Sequence, residues 1–392
     1  MVLMAEGNVR QRGDKWYYSF ETAPINGKRH RIERVGGYTQ KDAERALRKA
    51  LDDYEKAGTE MQLTNMSVAD YINYWFVHYV KANLKYNTVQ NYQNVKDKYI
   101  IPPLGVYKVQ SLSPETMQQW IDWVVKNGKT PQGDPLAKHT VEIIFTVMKE
   151  ALRRAVYPYR IIRENPMGYI DMPKFAPTPQ MTRAKLKIIT LNQYKQILEM
   201  YPPADSFHLP LVIAFNTGMR RGEVCGLEWD KVNLSDGTIE VSRNMIQTGS
   251  GVYELGTPKT AAGFRTIEIG PTLINALKDQ KKHQIESRLR YGSLYHETNF
   301  VCTKDNGDPV LPGSIKYKSS EVQKKLGFPF NFHSLRHTHA TMLLEAGEKM
   351  KVVQERLGHS RIAVTMDTYS HVTKSMKKNT VNLIEEIQRR SE

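Results

Sequence analysis

The sequence predicts a multidomain, helix-rich chain. A small β-sheet-plus-helix N-terminal domain spans residues 1–63. An all-α helical domain spans 66–169, a basic linker 170–187, and a mixed, helix-rich α/β domain 188–392. Three observations predict this. At 392 residues the chain exceeds what one ordinary core fills. Alternating aromatic and β-branched runs occur near the N-terminus and again around 238–269, whereas 66–169 reads as helix throughout. Between the second and third regions, "DMPKFAPTPQMTRAKLK" has three prolines and four basic residues against a single acidic one, Asp171, the composition of an extended charged spacer. The last region lacks a repeated strand–helix alternation, so a doubly wound parallel sheet is not expected.

The elements follow in order. "KWYYSFETA" and "KRHRIERVGGY" read as strands, and "PINGK" between them is a turn signal, so the pair makes a hairpin. Thr39 is a plausible N-cap for a helix in which Ala43, Ala46, Leu47, Ala50, Leu51 and Tyr54 recur at helical spacing until Gly58. Lys28, Arg29, Arg31 and Arg34 crowd the second strand. A charged edge strand resists aggregation. A basic strand beside aromatics also fits a DNA groove, and the chain's overall charge favours that reading.

In the second region Ser67, with Asp70 three residues on, opens "SVADYINYWFVHYVKAN". "NTVQNYQNVKDKYI" is expected to end before Pro102-Pro103. "SPETMQQWIDWVVKNG" has proline in its first turn and stops at Gly128, and "LAKHTVEIIFTVMKEALRRAVY" is a long amphipathic run. Four such helices make a bundle-like domain, with Trp120 and Trp123 expected in its core. In the third region "TLNQYKQILEMYP" and "FHLPLVIAFNTG" read as helices. "GTIEVSRNMI" and "GFRTIEIG" read as strands with a hairpin between them, and helix dominates after Pro271.

Composition narrows the function. With 56 basic and 41 acidic residues the chain carries +15, which favours a polyanionic partner, nucleic acid or an anionic membrane surface. A membrane is not expected. The most apolar run, "LPLVIAF", is far short of the ~20 residues a span needs, and the N-terminus lacks a signal peptide's apolar core. Cys225 and Cys302 cannot form a disulfide framework or a four-cysteine zinc site; they read as buried small hydrophobes in a reducing cytoplasm.

The residues able to do chemistry lie in the third region. "NFHSLRHTHATMLLEAG" places His333, Arg336 and His337 on one helix face. A zinc-protease signature would have glutamate where Ser334 stands, and no acidic residue follows before Glu345, so a metal site is not expected. "FNTGMRRGEVCGLEWDKV" ends one helix at Thr217-Gly218 and opens the next at Arg220, where backbone N–H groups and a guanidinium favour an anion. Glu223 is placed to orient Arg220. "GTPKTAAGFRTIEI" puts Lys259 near a hairpin tip, and "LGHSRIAVTMDTYSHV" offers His359 and, ten residues on, Tyr369. Two arginines, a lysine, two histidines and a tyrosine suit a phosphodiester attacked by a side chain. Guanidinium forks match the non-bridging oxygens, and protein cations supply the charge stabilisation. A phenol of pKa ~10 needs a base and a positive field to act as nucleophile.

"TGMRRGEV", "TPKT", "HSLRHTHAT" and "LGHSRIAVTMDTYSH" resemble, in order, the active-site boxes of the tyrosine recombinase (phage integrase) family. The resemblance covers about 190 residues of the third region. It implies a catalytic domain of tyrosine recombinase type preceded by a helical core-site DNA-binding domain and an arm-type DNA-binding domain. It implies that Tyr369 attacks the scissile phosphate to form a 3′-phosphotyrosyl link and that Arg220 and Arg336 clamp the non-bridging oxygens. Lys259 would protonate the departing 5′-hydroxyl, His333 would help move the tyrosine proton, and His359 would donate a hydrogen bond to the phosphate. His337 and His339 are left structural places, and Arg221 is outside the motif.

The family needs no cofactor and no metal. Its partners would be double-stranded DNA at core and arm sites, three further copies in a homotetramer on DNA, and accessory DNA-bending or directionality factors, all in a bacterial cytoplasm. The expected function is integration or excision of a phage or mobile element. The alternatives are a type IB topoisomerase-like or dimer-resolving enzyme, and a non-catalytic DNA-binding regulator. After Tyr369, Val381, Leu383, Ile384 and Ile387 form an apolar stripe expected to pack on a neighbouring protomer.

Overall fold

The computed structural model describes residues 7–25, 28–57, 66–175, 187–258, 260–369 and 389. Lys259, most of the basic linker and the apolar stripe of the tail lie outside the described residues. The chain divides into two compact units, Met1–Phe175 and Ala176–Glu392.

The first unit begins with an antiparallel sheet in the order β1-β2-β3, from β1 (Gly7–Arg12), β2 (Lys15–Ile25) and β3 (Lys28–Gly37). The hairpin expected from sequence is β2–β3. β1 was not anticipated, because "GNVRQR" has one apolar residue and its place comes from pairing along β2. Helix α1 (Gln40–Ala57) follows, with Thr39 Oγ1 accepting from Asp42 N–H at 3.2 Å. Its Ala43 is fully buried against β3, where a Cβ on Gly36 would stand 2.5 Å from the Ala43 Cα. Arg10 pairs with Glu33 at 2.7 Å, and Arg31 donates to the buried Ser19 hydroxyl at 2.6 Å. Lys28, Arg29 and Arg34 all lie on β3, the first two with side chains outside the described residues.

The helical part of this unit contains two interrupted rods. One is α2 (Val68–Trp75), a π turn (Phe76–Val80) and α3 (Lys81–Asn83). The other is α4 (Tyr86–Val95), a π turn (Lys96–Ile100) and α5 (Ile101–Leu104). Ser67 caps the first through a 3.0 Å bond from Asp70 N–H. The second does not stop before Pro102-Pro103. The π turn breaks the α ladder ahead of them, so both prolines sit in the first turn of α5, where their missing N–H groups are not needed. Lys96 ties the rods together: it is buried, donates to Asn73 Oδ1 at 3.0 Å and lies over the Phe76 ring. Helices α6 (Pro114–Asn127) and α7 (Lys138–Val156) complete the core around Tyr71, Trp75, Met117, Trp120, Ile144 and Met148. Trp120 donates to Tyr99 O at 2.7 Å, whereas Trp123 is 39% exposed, contrary to expectation. Three residues is only an approximate helical repeat, and the core closes on Trp120, Ile121 and Val124 instead.

The second unit opens with α8 (Leu191–Met200), capped reciprocally by Thr190 and Gln193, then α9 (His208–Thr217) and the short α10 (Arg221–Cys225). A three-stranded antiparallel sheet has the order β4-β5-β8, from β4 (Val232–Asn233), β5 (Thr238–Val241) and β8 (Arg265–Glu268). A separate hairpin pairs β6 (Asn244–Gln247) with β7 (Tyr253–Gly256). "GTIEVSRNMI" is therefore two strands in two sheets. The chain breaks at Arg243, whose guanidinium is drawn to Asp230 at 2.7 Å and to Glu228. The tip of the hairpin is at Thr248–Val252, well before position 259. Then come α11 (Pro271–Tyr291), α12 (Pro312–Leu326), α13 (His333–Glu345), α14 (Met350–Leu357) and α15 (Ile362–Thr368). The main core gathers residues such as Leu211, Val224, Ile239, Ile267, Val301 and Leu335, together with buried Cys225 and Cys302. A smaller cluster joins Ala340, Leu344, Val353, Leu357 and Tyr369. None of the described helices is long and apolar enough to cross a membrane.

Candidate active site

The site is assembled from helix ends. Gly218, with φ +68, terminates α9 and turns the chain so that Arg220 becomes the N-cap of α10. Arg220 N–H donates to Glu223 Oε2 at 2.9 Å, its Nη1 to Glu223 Oε1 at 2.7 Å and its Nη2 to Gly358 O at 3.2 Å. Glu223 is buried and shared: Arg265 Nη2 reaches its Oε2 at 2.9 Å. Burial pushes this carboxyl upward, but Arg265 and Arg220 outweigh it and hold the group below the usual range, ionised at neutral pH.

Arg336, on α13, is 2% exposed and donates to Gly218 O at 2.8 Å and Leu357 O at 2.7 Å. Burial, reinforced by Arg220, lowers its pKa to about 9, the mark of a guanidinium without enough negative charge nearby. His359 follows Gly358, the left-handed C-cap of α14, and its Nδ1 lies 2.8 Å from Thr365 Oγ1. Burial, Arg336 and Arg220 push His359 down to about 3, so it is neutral. If Nδ1 accepts from the Thr365 hydroxyl, the remaining proton is on Nε2.

Tyr369 caps the C-terminus of α15 and is 1% exposed. Burial pushes its phenol up to about 12, with Arg336 acting the other way. Its hydroxyl lies 3.1 Å from His337 Nδ1. His333 stands one turn away on α13, its ring edge-on to that of His337 with centroids 4.6 Å apart. The sequence left His337 a structural place; the structure puts it on the tyrosine instead. Both histidines share a face, and the packing of α15 decides which of them meets the phenol. His339 does have a structural place. Its Nδ1 donates to Phe215 O at 2.8 Å, and its Nε2 accepts from Arg356 Nε at 3.0 Å.

Five of the six expected residues thus converge: Arg220, His333, Arg336, His359 and Tyr369 act on one another electrostatically within a single region. Lys259 lies outside the described residues. Arg31 and Arg34 belong to the sheet of the other unit. Sequence reasoning missed Arg265, whose Nε donates to Arg356 O at 2.7 Å, and Thr365. The only sequence signal for Arg265 was a cation at the start of an otherwise ordinary strand. Arg220, Arg265 and Arg336 around the single carboxylate Glu223 leave an excess of positive charge, which an anionic phosphate would neutralise. Among the described residues, no three His, Cys, Asp or Glu side chains are grouped to hold a metal ion.

Comparison with known proteins agrees with this geometry. Residues 187–376 match the phage integrase family, and residues 67–123 match the phage integrase N-terminal SAM-like domain. The chain is 26% identical over 376 residues to a tyrosine recombinase XerC-like protein of Caldanaerobacter subterraneus, covering 92% of this chain and 93% of that one. It is 24% identical over 375 residues to the ICEBs1 integrase of Bacillus subtilis, covering 94% and 96%. Its fold is similar to the Tn1549 transposon integrase in complex with transposon right end DNA, with a TM-score of 0.62 at 22% identity, over 80% of this chain and 99% of that one. It is also similar to a lambda integrase tetramer bound to a Holliday junction, with a TM-score of 0.55 at 17% identity, over 92% and 94%. With both of its matched regions falling to one family and its five described motif residues gathered in one place, the chain belongs to the phage integrase family of tyrosine recombinases.

Proposed function

We propose that this chain is a site-specific DNA recombinase that integrates or excises a mobile element through a covalent link between Tyr369 and a DNA 3′-phosphate. The observation that carries this is that Arg336 bonds the carbonyl of Leu357, which shares a buried cluster with Tyr369, while Arg220 bonds the carbonyl of Gly358, next to His359. A phosphate entering the cluster meets two guanidiniums and the Nε2–H of a neutral imidazole. These donors are held by the fold before the reaction, so charge developing on the non-bridging oxygens is stabilised without reorganisation. The phenol oxygen attacks phosphorus, and the bond to the 5′-oxygen breaks. That oxygen leaves with the electron pair and takes a proton from the acid on its side, a role that falls to Lys259. The phosphotyrosyl ester keeps the energy of the broken linkage, so a second 5′-hydroxyl can reverse the step.

In the same reading the helical region 66–169 holds the core site, residues 1–63 with Lys28, Arg29, Arg31 and Arg34 bind arm sites, and four protomers act together on the paired DNA. Excess positive charge across the chain supports a DNA partner. A suicide DNA substrate nicked beside the cleavage point tests the proposal. The protein should form a covalent protein–DNA band in EDTA, and Tyr369→Phe should lose the band while still retarding the DNA in a gel. A Tyr369→Phe protein that makes the band at the normal rate would refute the assigned nucleophile. Removing residues 1–63 should leave core-site cleavage intact and impair recombination of full sites.

A further inference from the structure

We infer that His337, rather than His333, is the base that takes the Tyr369 proton during attack. The inference rests on Tyr369 being the nucleophile. The phenol oxygen and His337 Nδ1 are 3.1 Å apart, within the reach a general base needs. His333 meets the His337 ring at 88° with centroids 4.6 Å apart, and the hydrogen bond of the Tyr369 hydroxyl goes to His337. Tyr369 is buried in one apolar cluster with Ala340, Leu344, Val353 and Leu357. With the tyrosine 1% exposed, solvent has little access to its proton.

The charge states agree with the geometry. Burial and Arg336 hold His337 down to about 4, so its imidazole is neutral and can offer a lone pair. If Nδ1 accepts the phenol O–H, its own proton is on Nε2. The charged and titratable groups around the pair are Arg336 and His333 on α13 and Tyr369 itself. Bound phosphate would offset Arg336, the group that disfavours an imidazolium here, so the base strengthens as the substrate arrives.

The step balances. The phenol O–H bond breaks, and its proton moves to His337 Nδ1. The oxygen forms the bond to phosphorus, the bond from phosphorus to the 5′-oxygen breaks, and the leaving-side acid protonates that oxygen. On rejoining, the incoming 5′-hydroxyl gives its proton back to the leaving-side group, its oxygen bonds to phosphorus and displaces the phenolate, and the His337 imidazolium returns the proton to the phenolate.

The test measures covalent-complex formation on the suicide substrate from pH 6 to 10. His337→Asn puts an amide oxygen near the position of Nδ1, keeping a hydrogen-bond acceptor that cannot take a proton. The expected result is a loss of about 10²-fold or more at pH 7 for His337→Asn and His337→Ala. Their rates should then climb about tenfold per pH unit as the Tyr369 phenolate forms by loss of its proton to hydroxide, while the wild type does not show that climb. Folded, DNA-binding variants that cleave within threefold of wild type, with its pH profile, would overturn the inference and leave the nucleophile assignment standing. Tyr369→Phe that still forms the band would overturn both. Should neither His337 variant fold, ¹⁵N-histidine NMR of wild type against Tyr369→Phe decides: one imidazole pair should move when the phenol oxygen is removed, and no movement would sink the proposal.

Discussion

The guanidinium of Arg336 donates to the carbonyl of Gly218 over 2.8 Å, joining positions 118 apart in the chain. Gly218 caps the C-terminus of α9, and Leu357, the second acceptor at 2.7 Å, is the last residue of α14. Arg220 likewise donates to Gly358, the cap of α14. Both arginines therefore rest on the carbonyl ends of helices, which carry partial negative charge. For Arg336 that support is weaker than a carboxylate, so its charge stays available for a phosphate, whereas Arg220 is also held by Glu223 at 2.7 Å.

Arg336→Lys tests this support. An ammonium is a point charge and cannot span both carbonyls as the planar fork does. The cleavage rate should fall by about 10²–10³-fold, the usual cost of losing an oriented donor. Each buried carbonyl left unpaired should cost about 1–3 kcal/mol of stability. Denaturant melts and single-turnover cleavage would check the two effects; wild-type behaviour in both would contradict the assigned role.

Glu223→Gln tests the carboxylate that Arg220 and Arg265 share. Losing it leaves Arg265 buried beside other cations, and breaking a buried pair of this kind costs about 3–5 kcal/mol. The pH sign follows from the lowered folded pKa. The carboxylate's contribution is present at neutral pH and disappears as pH falls below the ordinary carboxylate range near 4. The difference in stability between wild type and variant should therefore shrink in acid, which chemical denaturation at pH 7 and pH 3 would show.

The histidines make a second pH prediction. Burial holds His333, His337 and His339 down to about 4 and His359 to about 3, from an ordinary value of 6.5. Between these values the unfolded chain binds protons that the folded chain refuses. Stability should be full above pH 6.5 and fall as pH drops toward 4. Denaturation midpoints at pH 7.5, 6 and 5 should decline in that order, and a flat profile would count against neutral, buried imidazoles.

Thr365→Val probes the His359 tautomer. Valine keeps the volume but removes the hydroxyl 2.8 Å from Nδ1. Free of that partner, the imidazole can carry its proton on Nδ1 and lose the donor on Nε2. Cleavage should fall about tenfold while DNA binding holds, and Thr365→Ser should restore it. A serine variant as slow as valine would point to packing instead.

Local order was legible along the chain because its causes are local. Ser67 and Thr39 accept from the N–H three residues on, Pro114 opens its helix, and apolar spacing set the type of nearly every long element. The motif residues could also be named, since their chemical types and order suffice to suggest a phosphodiester site. Folding in three dimensions settled the rest. Periodicity puts His333 and His337 on one face but is silent on which of them meets a phenol carried by another helix. It does not foresee that Arg336 closes on Gly218 and Leu357, that Trp123 faces water, or that Arg243 splits a strand between two sheets. Each of those outcomes depends on contacts between segments far apart in sequence, whose free energy exists only once the core has brought them together.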